Sequence, residues 1–242
     1  MSDKCVVLLS GGIDSTTLMY DLIRAYEVYP LTIEYGQRHR KEVMAARNVC
    51  AARSDDLLKR WKYLDMSILG PLLPSSLTGK GTIPHGHYAD ESMKSTVVPN
   101  RNMILLSIAA GYAQGIGAKI LAYAPHKGDH PIYPDCRVEF IEAMRTAIQL
   151  GTGWEKTDGV ELVAPYSKMT KAEIVWLGKK LNVPYYRTWS CYEGGDIHCG
   201  VCGTCIERRE AFKLAHVVDP TEYIAEQLPP ELRPGQTSQT KS

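Results

Sequence analysis

The sequence predicts an α/β protein: a Rossmann-like, doubly wound parallel sheet of about five strands with a small C-terminal metal-binding extension. Three observations carry this expectation. Short apolar runs bounded by turn residues alternate with helical patterns along most of the chain. The first of those runs ends in "SGGIDSTT", a string of glycines and hydroxyl residues where a strand meets a helix. Four of the seven cysteines, Cys191, Cys199, Cys202 and Cys205, fall within 15 residues of one another.

Taken in order, "CVVLLS" reads as the first strand, "STTLMYDLIRAY" as a helix, "EVYPLTIEY" as the second strand, "RKEVMAARNVCAARS" as a helix and "RWKYLDM" as a weaker third strand. Strands separated by helices rather than by tight turns must pair in parallel. The stretch from Gly70 to Pro99 carries four prolines and four glycines with little periodicity. A loop of that length in a compact domain marks a functional or mobile segment. "NMILLSIAAGYAQGIG" then reads as a largely apolar helix, "AKILAYAP" as the fourth strand, "RVEFIEAMRTAIQL" as an amphipathic helix and "VELVAPY" as the fifth strand. "TKAEIVWLGKKLN" is a helix with Thr170 as N-cap and Pro184 just past its end, and a last helix is expected from about Ile206 to His216. The expected organisation is a nucleotide-binding domain over 1–185, a metal-binding extension over 186–232 and a disordered polar tail over 233–242.

Composition narrows the class. With 242 residues and 44% hydrophobic content the chain can bury a full core. Its 28 Lys+Arg stand against 27 Asp+Glu, so it lacks the overall basic field of a nucleic-acid binder, although a local basic patch stays open. "MSDK" leads straight into the first strand with no apolar stretch long enough for a signal sequence or membrane span, and a cytoplasmic protein is expected.

In "LSGGIDSTT" the glycines let the backbone turn sharply and approach an anion. The helix N-terminus and the hydroxyls of Ser10, Ser15 and Thr16 are expected to converge on a phosphate. The residues exclude two familiar loops. No lysine follows the glycines, as Walker A requires, and G-x-G-x-x-G is not present here.

The clustered cysteines are spaced C-x7-C-x2-C-x2-C. Four thiolates with intervening glycines suit a closed, tetrahedral, structural Zn²⁺, with an iron–sulfur cluster as the rival because C-x2-C-x2-C also occurs in ferredoxin-type sites. The isolated Cys5, Cys50 and Cys136 are expected to pack as small hydrophobes, and His198 to stay off the metal because four cysteines complete the shell. Arg208 and Arg209, just downstream, either offset the negative charge of the cysteine site or, the favoured reading, are ordinary helix-surface residues.

The string S-G-G-x-D-S resembles the ATP pyrophosphatase, or PP-loop, group of the adenine nucleotide alpha hydrolase fold. "EYGQRHRKE", "SSLT", "VPNRN", "YPDCR", "TKAEIVWLG" and "TWSCY" followed by the cysteines, in this order, are similar to the 7-cyano-7-deazaguanine synthase (QueC) family over close to nine tenths of the chain. The resemblance implies an enzyme that adenylates the carboxylate of 7-carboxy-7-deazaguanine, lets ammonia displace AMP to give an amide, and uses a second ATP to turn the amide into a nitrile. It implies ATP with Mg²⁺ as co-substrate, held by Leu9, Ser10, Gly11, Gly12, Ile13, Asp14, Ser15, Thr16, Thr17, Leu18 and Met19, with Asp14 acting near the magnesium. It implies one zinc at Cys191, Cys199, Cys202 and Cys205, small-molecule substrates without direct nucleic-acid or membrane binding, and a homodimer.

The reaction needs positive charge where pyrophosphate leaves. Arg101 of "VPNRN" and Lys171 of "TKAE" are the expected cations, Lys171 because the helix dipole does not explain a lysine in a first turn. The family usually has glycine where Asn100 stands, and asparagine tolerates the left-handed backbone such a turn needs. Gln37, Arg38 and His39 of "YGQRH", at the C-terminal end of a strand, suit a purine edge and a carboxylate, or else face water at a helix start. Arg137 of "YPDCR" is placed to clamp the substrate carboxylate, while Asp135 either joins it or caps a helix. Two other classes remain open: a tRNA thiolase on the same fold, which needs a catalytic cysteine pair or iron–sulfur cluster, and a non-enzymatic zinc-containing binding module.

Overall fold

In the computed structural model, which describes residues 2–79, 81–87, 91–155 and 158–224, the N-terminal apolar run forms strand β1 (Lys4–Leu8). It leads through the glycine loop into helix α1 (Ile13–Leu22). Strand β2 (Glu27–Glu34), helices α2 (Lys41–Arg53) and α3 (Asp55–Arg60) and strand β3 (Lys62–Asp65) follow. After the long loop come α4 (Arg101–Gly115), β4 (Ile120–Ala122), α5 (Val138–Thr152), β5 (Glu161–Val163), α6 (Lys171–Lys180) and α7 (Gly203–Leu214). The strands form one parallel sheet in the order β3-β2-β1-β4-β5.

Period-two alternation along β1 divides the core. Cys5 and Val7 face a cluster with Leu18 and Met19 of α1, Val49 of α2, Ile174 of α6 and Phe212 of α7. Val6 faces the other side, with Leu31, Ile33, Leu106 and Ala109 of α4 and Ile141 of α5. Both faces of β1 are covered, which is why the strand reads as a continuous apolar run. The last helix shares the first of these cores with the sheet.

Each expected strand and helix is present, with two differences in detail. Ser54 ends α2 in an extended conformation and its side chain accepts a hydrogen bond from Leu57 N at 3.1 Å, so a separate helix α3 begins there. The last helix starts at Gly203, three residues before the expected point, with Cys202 at its N-cap and Cys205 in its first turn. Thr170 caps α6 as expected and forms a reciprocal capping box with Glu173.

The long loop is built against the cysteine segment. Leu77, Ile83 and Val98 pack with Tyr35 and the four clustered cysteines, and His85 pairs with Cys202 in an isolated bridge. The tail 233–242 lies outside the described residues. Among the described residues no helix is long and apolar enough to cross a membrane.

Candidate active site

The strand order reverses direction between β1 and β4, and there the C-terminal strand ends leave a crevice. It is lined by the glycine loop, the end of β2, the first turns of α2 and α4, the segment after β4, Lys171 and Trp189–Ser190. Helix α1 begins at Gly12 without a side-chain cap. Ser10 Oγ lies 2.9 Å from Ser15 Oγ, folding the loop on itself. Its first-turn N–H groups are thus left to an anion.

Gly11 shows why this turn needs glycine. Its φ is +89°, and a Cβ there would run into the carbonyl oxygen of Glu42 and stand 2.6 Å from Ala46 N. The start of α2 is therefore pressed directly against the loop.

The charged heart of the crevice is a buried network. Lys171 Nζ lies 3.2 Å from Asp14 Oδ2 and 2.6 Å from Glu207 Oε2, with the lysine side chain 13% exposed. A solvated surface lysine is excluded. Burial works to lower the pKa of Lys171, but Asp14 and Glu207 outweigh it and hold the ammonium charged well above its ordinary value. Burial raises the carboxyl pKa of Glu207, against the pull of Lys171 and His126. His126 Nδ1 accepts the Gly128 N–H at 3.0 Å. Its Nε2 lies 3.4 Å from Lys171 Nζ and 3.5 Å from both Asp129 Oδ1 and Glu207 Oε1. Asp14 Oδ1 is buried with no hydrogen-bond partner among the described residues, a donor atom suited to a hydrated divalent cation.

Of the residues singled out above, Leu9, Ser10, Gly12, Ile13, Asp14, Ser15, Gln37, Arg101 and Lys171 line the crevice. Arg101 enters from α4, its guanidinium carbon 5.6 Å from the Tyr35 ring centre. Thr16, Thr17, Leu18 and Met19 are buried in α1. Thr17 Oγ1 bonds Ile13 O and Tyr185 OH, while Leu18 and Met19 belong to the core. Gln37 Oε1 accepts from Tyr35 N. Arg38 donates to Gly81 O in the long loop. His39 is wedged beside Gly194 with its ring edge-on to Trp189, and burial lowers its pKa. Asp135 accepts from Asn102 N at 2.9 Å, capping the start of α4 rather than the adjacent α5. Arg137 is exposed and donates to His130 O. Asn100 adopts the left-handed conformation, with φ 55° and ψ 22°, at the N-cap of α4.

Glu207, His126, Asp129 and Glu42 belong to the crevice or its network and went unnoticed in the sequence. "RHRKE" contains Glu42 and H-x-x-D links His126 to Asp129, but nothing in the spacing pairs Glu207 with a lysine 36 residues earlier.

The four cysteine sulfurs lie within 4.8 Å of one another and all four residues are buried. Backbone N–H groups of Cys199 and Cys202 donate to Cys191 Sγ and Cys199 Sγ, as they do around metal-bound thiolates. The donor set can hold a metal ion. His198 Nε2 accepts from Ser190 N and its ring stacks on Trp189, so it supports the cluster from outside.

Arg208 corrects a sequence expectation. It is 0% exposed, and its guanidinium donates to Tyr185 O, Thr188 Oγ1 and Ser190 Oγ and pairs with Asp219 at 3.3 Å. It follows Cys205 by three residues, just under one helical turn, and that phase turns it inward against the segment entering the cysteine site. Arg209 lies with its guanidinium carbon 5.3 Å from the Tyr223 ring centre.

Comparison with known proteins places these features. The family model for queuosine biosynthesis protein QueC matches residues 4–216. A 7-cyano-7-deazaguanine synthase from Caldicellulosiruptor bescii is 51% identical over 225 residues, 92% of this chain and 98% of its own. Another, from Methanoregula boonei, is 51% identical over 222 residues, 91% of this chain and 99% of its own. Among solved structures, an NH3-dependent NAD synthetase from Campylobacter jejuni aligns with TM-score 0.45 and 20% identity, over 76% of this chain and 66% of that one.

Proposed function

The chain belongs to the QueC family, and from that membership we propose that it is a 7-cyano-7-deazaguanine synthase, converting 7-carboxy-7-deazaguanine and ammonia to the nitrile with two ATP. The observation that carries the adenylation chemistry is the buried Lys171 between Asp14 and Glu207, next to an uncapped helix start at the switch-point crevice.

The loop N–H groups bind the pyrophosphate of ATP, and Lys171 and Arg101 neutralise charge as it leaves. The carboxylate oxygen attacks the α-phosphorus, pyrophosphate departs, and the acyl carbon gains AMP as a leaving group. Ammonia displaces AMP to give the amide. The amide oxygen then attacks a second ATP, and loss of AMP yields the nitrile. A magnesium ion, which shields the phosphate oxygens when bound, has Asp14 as its protein donor. Gln37, whose Oε1 is held by Tyr35 N, offers its amide N–H groups to the purine edge.

The metal of the cysteine site is Zn²⁺, with Cys191, Cys199, Cys202 and Cys205 as its ligands. Cys199 Sγ and Cys205 Sγ stand 3.9 Å apart, close to the edge of a tetrahedron with Zn–S bonds of about 2.3 Å. A four-iron cluster spreads its thiolates more widely, each bound to a different iron outside the iron–sulfide cube. The zinc closes the start of α7 and takes no part in the reaction.

The test is direct: metal-replete protein with ATP, Mg²⁺, ammonium and 7-carboxy-7-deazaguanine, analysed by mass spectrometry. Amide and nitrile are the expected products, and failure to form either sinks the reading. Acid-dependent release of pyrophosphate without nitrile would point instead to another adenylating enzyme on this fold.

A further inference from the structure

Turning ammonia into a nitrile nitrogen removes three N–H protons in succession, and this proton traffic has no residue assigned to it. When the ammonia lone pair forms the C–N bond and the C–O bond to AMP breaks, one proton leaves the nitrogen. When the amide oxygen forms its bond to the second α-phosphorus and pyrophosphate departs, a second leaves. When the C–O bond to the second AMP breaks, the electrons of the last N–H bond complete the C≡N bond and a third proton is released. No step changes oxidation state through an outside reagent, but each needs a base at the nitrogen.

Among the described residues, the acids lining the crevice are Asp14, Glu42 and Asp129. Asp14 is occupied by Lys171, and Asp129 by His126. Both ring nitrogens of His126 are engaged within the protein, Nδ1 by the Gly128 N–H and Nε2 among Asp129, Glu207 and Lys171, so the ring is held inside the Lys171 network. Glu42 is different. It stands in the first turn of α2, its backbone pressed on Gly11, so its place relative to the nucleotide loop is set by main-chain contact. No hydrogen bond to its carboxylate occurs among the described residues. The charged or titratable groups facing it from the packed elements are Arg101 of α4, Tyr35 at the end of β2 and Tyr192 beyond Cys191.

On the basis of the proposed reaction, we infer that Glu42 is its general base, accepting the N–H protons during amide formation and nitrile elimination and passing them to water at the open side of the crevice. Burial pushes its carboxyl up to about 7, with Arg101 opposing. A base in that range is matched to neutral pH. Arg101 opposite it can hold the acyl oxygen while the nitrogen faces Glu42.

The experiment compares full-length, metal-replete wild type with Glu42→Gln and Glu42→Asp. Acid-dependent ATP–pyrophosphate exchange reads the first adenylation, which needs no base, and mass spectrometry reads amide and nitrile across pH 5.5 to 8.5. Glu42→Gln is expected to keep exchange within about threefold while slowing amide and nitrile formation by about 100-fold or more. Wild type should show a rate that rises through about pH 7 and then levels. Glu42→Gln should lose that limb, and Glu42→Asp should keep it at a reduced rate. Nitrile formation by Glu42→Gln within about threefold of wild type, or equal loss of exchange and nitrile, overturns the assignment. If wild type itself forms no nitrile, the proposed function fails and this inference with it. If wild type forms nitrile and Glu42→Gln matches it, only this inference fails.

Discussion

Lys171 Nζ lies 2.6 Å from Glu207 Oε2, an ion pair that ties the first turn of α6 to α7 two residues beyond a cysteine of the metal cluster. Because Lys171 also meets Asp14 of the nucleotide loop, the C-terminal cysteine segment and the N-terminal glycine loop are held in one electrostatic unit. A metal held by the four cysteines would thereby help set the position of Lys171 in the crevice.

Lys171→Met should leave Asp14 and Glu207 facing one another without their shared cation. Breaking one partner out of a buried pair costs about 3–5 kcal/mol. Losing a charge aimed at a leaving group slows chemistry by roughly 100- to 1000-fold. Urea melts and ATP–pyrophosphate exchange read the two effects separately. Retention of full exchange would show that Lys171 serves structure alone.

Glu42 should make stability depend on pH with a definite sign. Its folded carboxyl is raised to about 7 from an ordinary 4.5, so the native state binds the proton more tightly than the unfolded chain. The stabilisation is full below the ordinary carboxylate range and is lost as pH rises through about 7. Relative to Glu42→Gln, wild type should therefore lose on the order of 2 kcal/mol between pH 4.5 and pH 8. A stability difference that stays flat in urea melts over this range would contradict the raised pKa of this half-buried carboxyl.

Arg208→Met should destabilise the fold by about 3 kcal/mol or more, since it strands Asp219 and removes the donors to Tyr185 O, Thr188 and Ser190. Arg208→Lys should recover only part of this, because a single ammonium cannot span acceptors arranged for a guanidinium fork. An unchanged urea midpoint for the methionine variant would place Arg208 outside the structural framework.

Metal analysis should find one Zn²⁺ per chain. Cys202→Ser, at the N-cap of α7, should lose it, with a stability cost of several kcal/mol. Exchange should fall with the metal, since α7 carries Glu207. A variant that is metal-free yet equally stable and active would separate the cluster from the crevice. Visible absorbance from iron in the wild type would reverse the metal assignment.

The elements, the parallel sheet and the glycine loop were legible because they rest on local signals. Apolar runs, caps such as Thr170 and positive-φ glycines act over a few residues. The misjudged Arg208 shows the limit. Its neighbours in sequence suggest a polar helix face, but the groups that satisfy it come from Tyr185, Thr188, Ser190 and Asp219, brought together only when the cysteine segment folds back. Asp135 was legible as a cap, but not the helix it caps, because the distance between Asp135 and Asn102 is a property of packing.

By itself the sequence determined the strand order's raw material, the missing-lysine anion loop, the four thiols and the charge types available. Only the tertiary structure decided which charges meet: Lys171 with Asp14 and Glu207, Arg101 with Tyr35, and Glu42 in the same crevice with no hydrogen-bond donor among the described residues. The reason is physical. A periodic pattern encodes which face of an element is buried, whereas the energy of a buried charge depends on partners from distant elements that share its low-dielectric surroundings.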